Sequence, residues 1–398
     1  MKRLFFCLAV LGVILTGCSK NDDGESDNPN NSGNEQPEIP NDPNDVCSSM
    51  DDLGFISYCY ENFDINKDGI ISISEADAVR EIKIAGNQIK SLKGIERFPN
   101  LEFFSCVQSS IEEINLQYNL KLTSLGIGGG PSLKKILLPN SLQTINPSAF
   151  CSCTGLTDID LPSNVVSIET RAFSGCTSLV NVNFPTDSKL SSIGYMAFEN
   201  CTSLTEINFP TKLGVIKETA FRGCTNLTNI NFPAFSYLAS IQKDAFVDSG
   251  LTNVNFPTNA PKFMSINYRT FYACGSLKKV FIPSSIQTIG IEAFCSCTSL
   301  TDIIFSPNSN LVSIYDRAFE SCRSLTNISL PASLTSIGRA AFGYCSNLTK
   351  VTCHALVPPK LNGFSNSTIE NLYVPAESIQ AYKDSSWAIY FKNILPIE

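Results

Sequence analysis

The side chains best spaced for chemistry lie in one short stretch, residues 64–75. Asp64, Asn66 and Asp68 put oxygen donors at every second position, Gly69 permits a sharp turn, Ile70 offers its backbone carbonyl, Ser72 a hydroxyl and Glu75 a carboxylate. A hard divalent cation such as calcium takes roughly six to eight oxygens at flexible distances, and a twelve-position loop of this pattern supplies them. One calcium ion is therefore the expected cofactor. The competing reading keeps the same residues for turn chemistry alone. Ile71, between the last donors, is apolar and suited to pack inward. Helical patterns flank the loop, near 49–62 and 74–82.

Catalytic constellations are missing elsewhere. His354 is the single histidine, which removes most imidazole acid–base, triad and zinc chemistry. Its neighbour Cys353 would point to the opposite face of a strand, so the two are not read as a nucleophile and base. Gly128, Gly129, Gly130 and Pro131 lack the Lys-Ser/Thr of a phosphate loop. Carboxylates are scattered with no convergent pair. A formal charge of −8 and the lack of a basic patch argue against nucleic acid. A non-enzymatic protein is expected.

The chain opens with Lys2 and Arg3, then an almost wholly apolar run at 4–15 that ends in Leu15, Thr16, Gly17 and Cys18. That run is too short for a bilayer span, which takes about 20 residues, but suits a signal-peptide core. Small residues before a cysteine resemble the lipobox of bacterial lipoproteins. The resemblance implies a signal peptide at 1–17 and lipid on Cys18, an anchor without a transmembrane helix. Residues 18–46 hold one lysine against eight carboxylates and few apolar groups, the composition of a disordered acidic tether. Asp22, Asp23 and Glu25 resemble the surface-export signal of Bacteroidetes lipoproteins. Export, lipid anchoring at the outer membrane and outward display are expected, with the anchor as the only membrane contact.

From Cys153 onward the chain repeats itself. Copies begin at Cys153, Cys176, Cys201, Cys224, Ser249, Cys274, Cys297, Cys322 and Cys345, at spacings of 23 or 25 residues. Each carries a Leu-x-x-Ile-x-Phe kernel of strand character, then an isoleucine (168, 193, 216, 241, 266, 289, 314, 337). A phenylalanine follows (Phe173, Phe198, Phe221, Phe246, Phe271, Phe294, Phe319, Phe342). One copy cannot bury its apolar face, but a stack can. Stacked strands lie about 4.8 Å apart, so ten rungs make a body about 50 Å long. The phenylalanines should form one internal ladder and Leu/Ile another. The eight repeat cysteines sit among ladder residues and read as buried thiols, although adjacent rungs are close enough to bridge. Cys151 and Cys295 occupy a place held elsewhere by Ser174, Glu199, Arg222 and Glu320, and should face water. Whether Cys47 and Cys59 pair is open.

The consensus C-T-S-L-T-x-I-x-F-P…I…A-F-x-x-C resembles BspA-like leucine-rich repeat proteins over 131–355. The implied fold is a right-handed solenoid of short parallel strands. Residues 89–130 look like shorter, irregular repeats leading in. Residues 356–398, with Tyr373, Tyr382 and Trp387, resemble the family's terminal cap. The segment 47–88 resembles the helical EF-hand and dockerin modules, with one loop instead of two.

The third and fifth kernel positions face out. They carry Asp158/Asp160, Asn181/Asn183, Glu206/Asn208, Asn229/Asn231 and Asn253/Asn255, then Lys279/Phe281, Asp302/Ile304 and Asn327/Ser329. Stacked asparagines can stabilise neighbouring strands through amide ladders. They also make a polar strip suited to peptide or glycan hydrogen bonds, next to the apolar Phe281 and Ile304. Relatives are implicated in adhesion, so the resemblance implies a surface protein binding protein or matrix ligands. Capture of glycan or nutrient with a partner transporter is the alternative. A monomer is favoured.

Overall fold

The computed structural model describes residues 42–364 and 369–397. The signal peptide, Cys18 and most of the tether lie outside the described residues. At the start of the described chain, Asp45 is 2% exposed. Its carboxylate accepts from Cys47 N (3.0 Å), Ile71 N (3.0 Å) and the Tyr60 hydroxyl. The tether expected to run to 46 therefore gives way to packed chain by Asp45, because three donors hold that carboxylate in place.

Helix α1 spans Leu53–Phe63 and α2 spans Ile73–Ala78. Asp52 caps α1 by accepting from Phe55 N at 2.9 Å, which sets the start later than the apolar pattern suggests. Its second oxygen accepts from Lys90 N (2.8 Å) and Ser91 N (3.1 Å), tying the helix to the first repeat. A capping box of Ser72 and Glu75 starts α2. The helix stops well short of 82 because the pattern changes period. Ile82 and Ile84 are buried on alternate residues of the strand Glu81–Ala85. That strand pairs in parallel with Phe103–Val107, which pairs with Ser124–Gly126.

Beyond that entry the body is built from two parallel ladders. One is made of strands that begin at Glu113–Asn115, have three or four residues through the repeats and six in the last two, Ile369–Val374 and Phe391–Pro396, with most repeat strands buried only at the middle position. The register is one copy per step: Glu206, Asn229, Asn253, Lys279 and Asp302 lie in line. The other ladder is made of two-residue strands such as Ser167–Ile168, Ser192–Ile193 and Val215–Ile216. Glu81–Ala85, Phe103–Val107 and Ser124–Gly126 lead into this second ladder rather than the first.

The third side of each rung is a turn. In the copy Ser148, Ala149, Phe150, Cys151, Ser152, Cys153, both Ser148 and Ser152 have φ of 58°. Equivalent residues, including Arg171, Met196, Thr219, Asp244 and Arg269, repeat this left-handed backbone. The bend throws each phenylalanine inward. Phe150, the eight phenylalanines of the repeat pattern and Phe364 stack in one column, with centroids 5.0–5.4 Å apart and planes within 14°. Turns also bond to turns: Phe150 N donates to Ala172 O (2.7 Å) and Phe173 N to Ala197 O (2.7 Å).

Trp387 closes the column. It is fully buried, 5.9 Å from Phe364, and its Nε1 donates to Pro359 O at 2.8 Å. The cap also carries α3 (Ile379–Lys383), and Tyr382 donates to Ala355 O at 2.8 Å. Phe246→Ala should therefore cost about 3–5 kcal/mol by urea unfolding. Phe235→Ala, at a phenylalanine 50% exposed, should stay within about 0.5 kcal/mol. Equal effects would contradict the role given to the column.

Candidate functional site: the strand face and the calcium-type loop

The sequence-assigned binding residues do come together on one surface. Asn181, Asn183, Asn208, Asn229, Asn231, Asn253 and Asn255 all lie on the outward face of the first ladder, exposed. Their amides are partly engaged with each other. Asn181 Nδ2 donates to Asp158 Oδ1 (2.6 Å) and Asn183 Nδ2 to Asp160 Oδ1 (2.8 Å). Asn231 Nδ2 donates to Asn208 Oδ1 (2.8 Å) and Glu206 Oε1 (2.7 Å). Asn229 and Asn253 turn to their own neighbours, Thr228 and Thr252. The Asn181 amide, with Thr157, holds the Asp158 carboxyl below the usual range. The strip thus braces neighbouring strands and still offers free amide groups.

Phe281 and Ile304 are register partners beside the end of that strip. Phe281 is half-buried and Ile304 is 38% exposed. The same outward column continues through Ser329, Thr352, Tyr373 and Leu395. Lys350 Nζ stands 4.6 Å from the Tyr373 ring centroid. Sequence reading assigned Tyr373 to the cap and missed its place in this column. The signal available was its spacing from Thr352, one shortened rung on.

At the other end of the face is a shallow cleft of about 370 Å³, lined by Lys93, Glu96, Glu113, Asn115, Tyr118 and Lys135 among others. Tyr118 is 61% exposed above it. The irregular spacing at 89–130 hid it. Only the extra residues after Asn115 hint that something overhangs the first rungs.

The calcium-type loop is arranged as follows. Asp64 Oδ2 accepts from Gly69 N (3.0 Å), and Asp64 Oδ1 is buried without a hydrogen-bond partner. Asn66 Oδ1 accepts from Asp68 N, and Asp68 Oδ1 from Ile70 N. Glu75 Oε1 accepts from Ile65 N and Asn66 N, and Oε2 from Ser72 N and Oγ. The Ser72 hydroxyl and these backbone N–H groups hold the Glu75 carboxyl below its usual range. Ile71 is fully buried, as its type suggested. Val46 N donates to Ile71 O (2.9 Å), so the chain at 45–46 occupies both backbone groups of Ile71. Among the described residues no three His, Cys, Asp or Glu side chains are drawn together as a cage. The unpartnered Asp64 Oδ1 is nonetheless an oxygen suited to a cation, since a buried acceptor without a donor is costly.

The repeat cysteines are free and buried. Cys153 donates its S–H to Ile127 O (3.4 Å), and the others donate to a phenylalanine carbonyl one rung back, as Cys176 to Phe150 O (3.0 Å) and Cys201 to Phe173 O (3.1 Å). Cys47 and Cys59 are also free thiols, and hydrogen bonding to Cys47 together with burial pushes the Cys59 thiol up. Cys151 is partly exposed, as expected. Cys295 does not face water. It is 6% exposed, with Sγ 3.9 Å from Glu320 Oε2, under a chain of ion pairs. In that chain Arg317 reaches Glu292 (3.5 Å) and Glu320 (3.8 Å), and Arg269 reaches Asp244 (3.6 Å) and Glu292 (3.7 Å). Cys353 is buried, whereas His354 is exposed with Nε2 3.0 Å from Ser329 Oγ, so the two do face apart.

Among known families, the one described as the BspA type leucine rich repeat region (6 copies) matches residues 57–157, 80–190, 143–265 and 264–388. The chain belongs to the BspA-type leucine-rich repeat family. Its fold is similar to that of a leucine-rich repeat protein from Bacteroides ovatus ATCC 8483, at 21% identity over 80% of this chain and 95% of that one, TM-score 0.45. A leucine rich cell surface protein from Faecalibacterium prausnitzii A2-165 matches at 21% identity over 72% and 83%, TM-score 0.33. The pneumococcal vaccine antigen PcpA matches at 18% identity over 75% and 79%, TM-score 0.38. A search of curated proteins returned no match.

The BspA-type rungs make a pH prediction. Burial pushes Cys153 up to about 11 and Cys224, Cys274 and Cys345 up to about 12, from about 9. A folded state that keeps its thiols protonated contributes stability that is complete below pH 9. That stability is lost as pH rises toward 12, because the unfolded chain ionises first. The urea midpoint should fall steadily over this window. A midpoint unchanged from pH 8 to 11 would contradict buried, neutral thiols.

Proposed function

We propose that this BspA-type protein is a non-enzymatic cell-surface binding protein that engages protein or matrix ligands through its strand face. The observation that carries the reading is the adjacent apolar pair Phe281 and Ile304 standing outward beside a polar, self-braced strip, with Tyr373 three rungs further along the same column past Ser329 and Thr352. Aromatic and aliphatic anchors ringed by polar groups are the usual make-up of an energetic centre in a protein interface. Extended solenoid faces commonly bind partners. On this face Ser329 Oγ and His354 Nε2 stand 3.0 Å apart, but among the described residues no carboxylate pairs with that imidazole to complete a triad, which supports binding over turnover. Among the described residues no helix is long and apolar enough to cross a membrane. The segment ending at Cys18 supports lipid anchoring at the outer membrane, facing outward.

The cleft beside Tyr118 favours glycan capture as the second reading, since an exposed ring, an amide and mixed charges suit a sugar. The two readings separate by mutation. With the full chain on an array of matrix proteins and glycans, Phe281→Ser/Ile304→Ser should weaken a protein ligand at least tenfold. Asn115→Ala/Tyr118→Ala should instead abolish glycan binding if the cleft is the sugar site. If neither pair changes any binding, the strand face is the wrong surface.

We also propose that the loop at 64–75 holds one calcium ion as a local staple. Asp64, Asn66, Asp68, the Ile70 carbonyl, Ser72 and Glu75 would supply the oxygens, with Asp64 Oδ1 free to do so. Glu75 already accepts four donors, so calcium would have to displace some of those bonds to reach its carboxylate. Calcium at a hundredfold excess over its dissociation constant should add about 2.7 kcal/mol to stability. It should raise the thermal midpoint of the wild type and leave Asp64→Asn unmoved. A wild type indifferent to calcium and chelator would show that the loop is a metal-free turn.

A further inference from the structure

A second surface stands out once the copies are compared with one another. Three of the longer copies carry the same loop between their two strands, each with a serine whose hydroxyl accepts from a backbone N–H two residues on. The pairs are Ser188 with Leu190, Ser236 with Leu238 and Ser309 with Leu311. The residues flanking that serine are Asp187 and Lys189 in the first copy, Asn308 and Asn310 in the third. In the middle copy they are Phe235 and Tyr237, 50% and 57% exposed and set edge to face at 5.5 Å. The serine bond forms equally with polar residues at these places, where the middle copy adds a strand bridge from Phe235 to Asn259, so that bond does not require the two rings. Isolated exposed apolar residues need no explanation, but a pair held out where sister copies are polar does.

Lysines stand in line with them. The register of the second ladder aligns Ser192, Val215 and Ser240, which puts Lys189, Lys212 and Tyr237 in one file, with Lys262 on the next rung. The rung steps along this file are 5.1, 5.2 and 5.4 Å by the phenylalanine column. All three lysines are exposed, and among the described residues none has a carboxylate within ion-pairing distance. Lys189 Nζ donates to Asn164 Oδ1 at 2.7 Å, which fixes its direction. The edge therefore presents cation, cation, aromatic pair, cation at regular intervals.

We propose that this edge binds a linear, uronate-bearing polysaccharide, with sugar rings against Phe235 and Tyr237 and carboxylates on Lys189, Lys212 and Lys262. A polymer with a charge on every sugar or every second sugar matches charges set by a rung repeat. A densely sulfated chain would call for more than one ammonium per rung. Aromatic faces attract the slightly positive C–H edges of a sugar ring. The lysine contribution is electrostatic and screened by salt. The site lies on the loop edge and is independent of the strand face.

The test uses the full chain and oligogalacturonate as the probe, with neutral dextran oligomers and polyglutamate as comparators. Saturable binding to oligogalacturonate that weakens with salt, and none to dextran, is expected. Phe235→Ala/Tyr237→Ala should weaken it at least tenfold with the salt dependence kept. Lys189→Gln/Lys212→Gln/Lys262→Gln should weaken it and flatten that dependence. Phe281→Ser/Ile304→Ser should leave it unchanged, which separates this edge from the strand face. All three changes are at exposed or half-exposed side chains, and an unshifted thermal midpoint shows that the fold is kept. No binding of oligogalacturonate, binding indifferent to the aromatic pair, or equal affinity for polyglutamate would overturn the proposal. The last outcome would make the edge a site for acidic peptide.

Discussion

Everything in this protein hangs on the turn that carries each phenylalanine inward. Two residues per turn sit in left-handed backbone, a conformation that costs a non-glycine residue about 1–2 kcal/mol. The return is a ring stacked at both faces and a carbonyl with two defined partners. Phe150 O accepts from Cys153 N at 3.1 Å within its own turn and from Cys176 Sγ at 3.0 Å in the next. A carbonyl has two lone pairs, and here both are used. The strands on the other two sides have two to four residues in most rungs, too short to hold a sheet alone. The turn column makes them cooperative.

That arrangement explains the cysteines. A buried serine could donate to the same carbonyl, but it is more polar than the apolar column around it. A thiol fills the space as a small hydrophobe and still donates. Ser249 shows the substitution within the chain: it remains buried, and its hydroxyl lies 3.2 Å from Cys274 Sγ. Chemistry is thereby removed from the core, since a thiol whose ionisation is pushed up by burial is a poor nucleophile.

The repeat period, the phenylalanine column, the inward cysteines and the outward asparagines were all legible, because each is a side-chain type recurring at a fixed interval. What stayed hidden depended on neighbours rather than on type. Cys295 was expected in water by analogy with Glu320, yet Glu320 and Arg317 are what cover it. The left-handed positions show as glycine only at Gly175 and Gly223, and elsewhere are taken by residues as unlike as Ser148, Met196, Thr219, Arg269 and Glu292, which share no type that marks the place. The second helix looked longer because Ile82 fits a helical period as well as a strand. Only pairing of Ile82 with Phe104 decides it. The cleft by Tyr118 needs two separate segments, and no single window contains it. With the inside fixed by the turn, the outside is free to differ from rung to rung, and a strand face and a loop edge of different chemistry can share one scaffold.

The most direct test of this account is hydrogen exchange on the full chain, read at the turn amides of the central rungs. If the turns hold the body together, the N–H groups of Phe198, Phe221 and Phe246 exchange at least as slowly as those of Ile207 and Ile230 in the longer strands. If the turn amides exchange like open loops while the strand amides stay protected, the strands carry the structure and the phenylalanine column is only filling.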